Sequence, residues 1–364
     1  MTGGCARLAG AVLGVALSLG PVGAAERSEG VDWVAAVAAL EVEGLGRPEG
    51  AWTLELPRDH GPHPEAASEL WTLVAHLADG DGRPVGVQLS LLRLALAPPG
   101  TGGDWLAREV YRGHAVVLDG ARGVVAAEER FGRGMAGVAG FDPALAELRL
   151  DAWALRFGAG AWWLEAGAGG LRAELTMTPQ RAPLAPDGAD GGAPFRGYAV
   201  PRLAVEGVLA STDGRREVTG VAWFEHLWGD LPLPGGAPVA SDRLVLQLDD
   251  GAELSVLRSR RVDGRGAATV EALLVGADGA AEGFGDATAE VELMRRWRGA
   301  GGTDWPVEWT VRVGALELRV APVLDAQEHG FSAPMWSGLV RAEGRHGDRP
   351  VTGMGTLQLT GYGG

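Results

Sequence analysis

Residues 221–230 read Val-Ala-Trp-Phe-Glu-His-Leu-Trp-Gly-Asp. Three of them can carry protons: Glu225, His226 and Asp230. They alternate with the rings of Trp223, Phe224 and Trp228. A carboxyl group or an imidazolium serves as a general acid when its pKa lies near the working pH. Aromatic faces hold cations through their quadrupole. No other short stretch gathers an acid, a titratable base and aromatic faces together. Side chains alternate along a strand, so Val221, Trp223, Glu225 and Leu227 share one face. Ala222, Phe224, His226 and Trp228 share the other. Only one face of a barrel strand looks inward. Either Glu225 lies inside with Trp223, or His226 lies inside with Phe224 and Trp228. Three successive ring-bearing positions favour the second as a pocket lining.

These residues need a frame. Two alternating apolar runs, from Tyr198 and up to Trp228, flank Ser211-Thr212-Asp213-Gly214, a strong hairpin signal. The signal recurs. Runs 74–78 and 85–92 flank Asp79-Gly80-Asp81-Gly82. Runs 115–118 and 124–127 flank Asp119-Gly120, and runs 244–248 and 254–257 flank Asp249-Asp250-Gly251. Residues 307–313 alternate, turn near Gly314 and alternate again through Leu316, Leu318 and Val320. Short strands at this spacing predict an all-β sandwich or barrel. The 59 glycines suit many tight turns. A run over 52–56 reads as a further strand, entering a loop stiffened by Pro57, Pro62 and Pro64. Residues 31–40 read as a short helix or an extended lead-in.

Three segments share one pattern: Asp81-Gly82-Arg83-Pro84-Val85-Gly86, then residues 213–220, then residues 347–353. In each, an Asp/Gly turn leads through Arg into a strand opening Val-x-Gly. The second and third share Val-Thr-Gly and each follow a Glu-Gly strand end. This predicts one closing hairpin shared by two related β domains. Pro/Gly-rich linkers fall at 178–195 and 231–241, and the second is the better boundary. The expected domains are 51–231 and 232–364, after a lead-in over 26–50.

Composition narrows the chemistry. At 364 residues, with 46% hydrophobic and 22% charged content, the chain reads as globular. A formal net charge of −15 repels nucleic-acid backbones and anionic membranes. All 32 basic residues are Arg. Without Lys there is no Schiff base and no phosphate-loop lysine. Arg7, an apolar stretch over 8–19 and small residues at 22–25 read as a cleavable secretory leader over 1–25. The lone Cys5 would leave with it, which excludes disulfides and thiolate sites.

Other candidates are weaker. His60-x-x-His63 offers half a metal site, with no third ligand evident nearby. Glu69 and Arg202 could form an ion pair. His76 and His114 sit in apolar runs, where a hydrogen-bonded buried histidine is the commoner outcome. Glu328-His329 reads as a loop dipeptide. No Gly-x-Ser-x-Gly elbow marks a serine hydrolase.

Several ordered motifs resemble the AttH-like family, which includes carotenoid 1,2-hydratase (hydroxyneurosporene synthase). They begin with Pro57-Arg58-Asp59-His60-Gly61-x-His63-Pro64 and Ser68-Glu69-Leu70-Trp71. Gln88-Leu89-Ser90-Leu91-Leu92-Arg93, His114 and Ala127-Glu128-Glu129-Arg130-Phe131 follow. The most specific piece runs from Tyr198-x-x-Pro201-Arg202-Leu203 to Ala222-Trp223-Phe224-Glu225-His226. Trp336-Ser337-Gly338 and residues 351–362 complete the set. The resemblance implies two tandem lipocalin-like β-barrels and, for the best-known member, addition of water to a terminal isoprenoid double bond. Leu70, Thr72 and Ala199 stand where the family usually carries aromatics, which thins the lining.

The expectation is an all-β, exported periplasmic or envelope protein that binds a hydrophobic isoprenoid or lipid-like ligand, in company with a transporter. The alternatives are a hydro-lyase of the carotenoid-hydratase type and an inert envelope scaffold. The catalytic candidates are His226, Glu225 and Asp230. Trp228, Trp223, Phe224, Tyr198, Arg202, Trp71, His114 and Trp336 are the candidate ligand contacts. Neither cofactor nor metal is expected.

Overall fold

The computed structural model describes residues 44–45, 50–100, 108–135, 137–185, 195–231 and 239–362. The expected leader, the 31–40 segment, most of the lead-in and the middles of both linkers lie outside them. Among the described residues, one 3₁₀ turn at Arg58–His60 is the sole helical element. Everything else regular is strand, in two curled antiparallel sheets of lipocalin-like, barrel-like form. No described helix is long and apolar enough to cross a membrane.

The chain divides between Leu231 and Pro232. The N-terminal barrel holds β1 (Ser68–Asp79), β2 (Pro84–Ala95), β3 (Glu109–Asp119), β4 (Val124–Arg133), β5 (Ala139–Asp142), β6 (Glu147–Leu150), β7 (Trp153–Phe157), β8 (Trp162–Ala168), β9 (Leu171–Pro179), β10 (Phe195–Ser211) and β11 (Gly214–Gly229). Their order is β4-β3-β2-β1-β11-β10-β9-β8-β7-β6-β5. The sheet curls until its ends meet, where Met135 bridges Ala139. The C-terminal barrel holds β12 (Val239–Leu248), β13 (Glu253–Arg261), β14 (Thr269–Val275), β15 (Ala281–Phe284), β16 (Ala289–Arg298), β17 (Asp304–Val313), β18 (Leu316–Pro322), β19 (Glu328–His329), β20 (Met335–His346) and β21 (Arg349–Thr360). Its order is β15-β14-β13-β12-β21-β20-β18-β17-β16, with β19 against β20.

In both sheets the last strand pairs with the first, β11 with β1 and β21 with β12. The closing hairpins at Asp213-Gly214 and Gly347-Asp348 therefore hold the same place in each, as the sequence repeat predicts. The acidic turn residues earn their positions. Asp79 accepts from the backbone N–H groups of Asp81 and Arg83 at 3.1 and 3.0 Å, an Asx-type turn. Gly82 follows at φ +75°, which glycine reaches freely. Arg216 then joins two of these turns, binding Asp79 at 2.9 Å and Asp119 as well.

Each core follows the period of two. On β9, Leu171, Ala173, Leu175 and Met177 are buried in the barrel while Arg172 is exposed. β10 is interrupted between Val200 and Leu203 by a register shift. Pro201 lies there and has no N–H for the ladder, so a bulge is where an interior strand tolerates it.

One expected element is absent. Residues 52–56 form no strand. Trp52 and Leu54 pack on the N-terminal core, and Glu55 donates its N–H to Asp59 Oδ2 at 2.8 Å. The side chain of Asp59 takes the place of a neighbouring strand as partner for that donor.

Candidate active site

The site is written in the pairing register of five strands. Across β1, β11 and β10, Trp71 stands opposite His226, and His226 opposite Tyr198. One inward step away, Glu69 stands opposite Trp228 on one side and Arg93 of β2 on the other. Arg93 in turn faces Tyr111 of β3. Two adjacent rows thus bring an acid, a base, a guanidinium and aromatic rings to one region of the barrel interior. Phe224 joins Trp71, Tyr198 and Trp228 in the barrel core.

The segment preceding β1 closes over these rows. Asp59 and His60 of the 3₁₀ turn are buried. The His226 Nδ1 lies 2.9 Å from the backbone oxygen of Asp59, and Trp71 donates its indole N–H to the backbone oxygen of His60 at 3.1 Å. The His60 ring stacks on Phe157 at 4.4 Å and meets the Tyr198 hydroxyl at 2.5 Å. His63 stacks flat on Trp228, centroids 3.7 Å apart. Trp228 also meets Trp52 in a T-shaped contact at 5.0 Å.

Glu69 is the electrostatic centre. Its carboxylate has four donors around it: His63 N, His63 Nδ1, His226 Nε2 and Arg93 Nη1. The two ring nitrogens lie 2.8 and 2.9 Å from the same oxygen, Oε1. Arg93 lies 3.3 Å from Oε2. Burial alone would raise the Glu69 carboxyl, but His226 and His63 outweigh it and hold it at about 2. Burial lowers His226 below the ordinary histidine value, and the Glu69 carboxylate offsets only part of that shift. His60 is driven down to about 3, by burial first and by the neighbouring His226 second.

His226 has an acceptor at each ring nitrogen. A backbone carbonyl only accepts, and an ionised carboxylate only accepts. The pair therefore satisfies its hydrogen bonds only with a proton between Nε2 and Oε1. His226 and Glu69 together form a buried acid–base pair, with Trp71 stacked on the imidazole at 4.5 Å and the Tyr198 ring edge-on at 5.8 Å.

An open depression of about 450 Å³ reaches this network from outside, lined in part by Pro64, Arg93, Arg108 and Glu109. Arg93 spans it, binding Glu109 at 2.5 Å on one side and Glu69 on the other.

The other sequence candidates lie elsewhere. Glu225 is buried on the opposite face of β11, accepting the Trp223 indole N–H at 2.7 Å. Asp230 is exposed just past the end of β11. Arg202 sits half-buried at the β10 bulge. The acid Glu69 takes Arg93, its cross-strand neighbour, as its ion-pair partner, where the sequence offered Arg202 as one possibility. His114 is out of phase with the core residues Tyr111, Ala115 and Val117 of β3 and pairs with Glu129 at 2.8 Å. Trp336 belongs to the core of the C-terminal barrel.

At the level of sequence Asp59 and Arg93 were missed, and His63 and Glu69 were named without their true partners. Their signal was present: Glu69 and Trp71 share parity, and His63 stands six residues from Glu69 in the motif at 57–71. His63, Glu69 and His226, not His60 with His63, form the one group of metal-type donors among the described residues, all within 4.8 Å of one another.

The C-terminal barrel keeps half of this arrangement. Asp242 faces Arg258 across β12 and β13 at 2.8 Å, as Glu69 faces Arg93. Leu244 and Leu357 then pair where Trp71 and His226 pair. The acid is retained and the base is replaced by leucine. Burial raises the Asp242 carboxyl, against Arg260, Tyr362 and Arg258.

The sequence profile of AttH-like proteins matches residues 47–362. An AttH-type protein from Nitrosomonas europaea has the same architecture, with a TM-score of 0.72 at 27% identity, covering 85% of this chain and 98% of its own. Kievitone hydratase from Nectria haematococca aligns with a TM-score of 0.65, covering 86% of this chain and 97% of its own. At 13% identity that likeness shows the fold alone. No curated protein sequence matches the chain.

Proposed function

The chain belongs to the AttH-like family, and on that footing we propose that its N-terminal barrel adds water across a carbon–carbon double bond of a hydrophobic ligand. The observation that carries this reading is the His226–Glu69 pair, an acid that holds its proton inside an aromatic interior. The π electrons of the alkene take that proton at the less substituted carbon. Positive charge develops at the more substituted carbon, where the faces of Trp71 and Trp228 stabilise it. Water bonds to that carbon and releases a proton, which restores the pair. Such proton transfer by a positioned group contributes about 10²–10⁴-fold.

Two comparisons support the reading. Kievitone hydratase is a hydratase on this fold, and the motifs at 57–71 and 198–226 resemble those of carotenoid 1,2-hydratase. Substrate access requires the 56–67 segment to lift, since His226 and Glu69 are fully buried beneath it. That same burial favours a second reading, in which the barrel binds an apolar ligand without turnover. Export and a transporter partner are part of this second reading, and cell fractionation with N-terminal sequencing tests the first of them.

The experiment is turnover of acyclic isoprenoid alkenes in heavy-oxygen water. A labelled alcohol from the native chain, lost in His226→Ala, supports hydration. Ligand retention with no labelled alcohol across the panel leaves the binding reading in its place.

A further inference from the structure

We propose that His63 Nδ1, Glu69 Oε1 and His226 Nε2 form a binding site for one zinc-class divalent cation. The inference goes beyond hydration and does not depend on it. Two imidazoles and one carboxylate are a donor set suited to zinc, and three protein ligands leave a position for water. The three atoms lie within 4.8 Å of one another.

The supporting groups point the same way. A metal-bound histidine usually has its remote nitrogen fixed by a carbonyl or carboxylate. Asp59 fixes one and stands near the other: its backbone oxygen lies 2.9 Å from His226 Nδ1, and its Oδ1 lies 3.6 Å from His63 Nε2, just beyond hydrogen-bond length. With Nδ1 committed to a carbonyl, a neutral His226 aims the lone pair of Nε2 at Glu69 Oε1. Two electron-rich atoms at 2.9 Å need a positive species between them. A proton fills that place in the metal-free chain, and a metal ion fills it on loading. One proton then leaves the His226–Glu69 pair. The His63 proton moves to Nε2, on the side of Asp59 Oδ1. Arg93 holds Glu69 Oε2 at 3.3 Å, which keeps Oε1 turned toward the two rings, while the His63 N–H straddles both oxygens at 3.0 and 3.1 Å.

The fit requires a small expansion. Zinc bonds of about 2.0–2.2 Å set ligand–ligand edges of roughly 3.3 Å in a tetrahedron, so the rings must retreat by a few tenths of an ångström. His63 is the member free to do this, since its side chain keeps 13% of its surface exposed. That exposure also gives the ion an approach. The C-terminal barrel is an internal contrast, because leucines stand at the position matching His226 and its partner.

The test uses the full chain, treated with chelator and dialysed, then titrated with zinc chloride by calorimetry. The expected result is one ion per chain, with affinity at least tenfold weaker in His63→Ala and in Glu69→Gln. His346→Ala, which removes a half-buried histidine paired with Asp250, should bind as the native chain does. Cobalt loading gives a second measurement: four-coordinate ligand-field bands in the native chain, absent from His63→Ala at unchanged far-ultraviolet dichroism. No binding by the native chain, or binding unchanged in His63→Ala, overturns the proposal. A chain that binds zinc and, when metal-free, hydrates nothing sustains this site and sinks the hydration reading. A chain that hydrates and binds no zinc does the reverse.

Discussion

Glu69 Oε1 lies 2.9 Å from His226 Nε2, and the two residues are 157 positions apart in the chain. Neither side chain has measurable exposure. The contact exists because β1 and β11, the first and last strands of one sheet, are neighbours. Removing the acid should therefore act on both fold and chemistry. Glu69→Gln takes one of two carboxylates from the buried Arg93, which keeps Glu109, so the cost should approach but not exceed the roughly 3–5 kcal/mol of a fully broken buried pair. Urea unfolding should show a loss of that size, with hydration reduced by two to four orders of magnitude. Full activity in a folded Glu69→Gln chain would end the acid–base assignment.

Acid should weaken the fold through the same group. The Glu69 carboxyl ordinarily titrates at 4.5 and is held at about 2 in the folded chain. A depressed folded value means that the stabilisation is complete above the unfolded value and is lost as pH falls through the folded one. Denaturant midpoints of metal-free protein should fall between about pH 4.5 and 2. Glu69→Gln should flatten much of that slope; an unchanged slope would mean that other carboxylates govern it.

Trp228 packs against both His63 and Trp52. Trp228→Ala should cost about 3–5 kcal/mol, as large-to-small changes at buried aromatics do. It should also free His63, raising amide hydrogen exchange across 56–67. Protection of that segment as strong as in the native chain would show that the stack does not hold it down.

Asp230 gives the contrasting expectation. It is exposed beyond the end of β11, so Asp230→Ala should leave stability within about 0.5 kcal/mol. Hydration should likewise be unchanged. A large loss of turnover would return Asp230 to the reacting centre.

How much of this was legible depended on the range of the interaction. The hairpins were legible because Asp79, Asp119 and Gly214 make turns from local chemistry. The face of β11 was legible because Phe224, His226 and Trp228 alternate with Trp223 and Glu225. The partner of His226 was not, because strand neighbourhood between positions 69 and 226 is a property of topology. Glu69 has two cross-strand neighbours, Arg93 and Trp228, and nothing local distinguishes Arg93 from Arg202 as its cation. The run at 52–56 misled for a related reason. Its alternation is real, since Trp52 and Leu54 do pack inward, but it has no strand to pair with. The segment closes the site as an irregular cap.

The most direct test is the protonation state of the pair itself, read by nitrogen-15 and carbon-13 resonances of the His226 ring and Glu69 carboxyl in chelator-treated protein at neutral pH. The expected result is a proton between them, seen as a His226 ring protonated at both nitrogens beside an ionised Glu69. A neutral His226 with an unprotonated Nε2, facing an ionised Glu69, would contradict it.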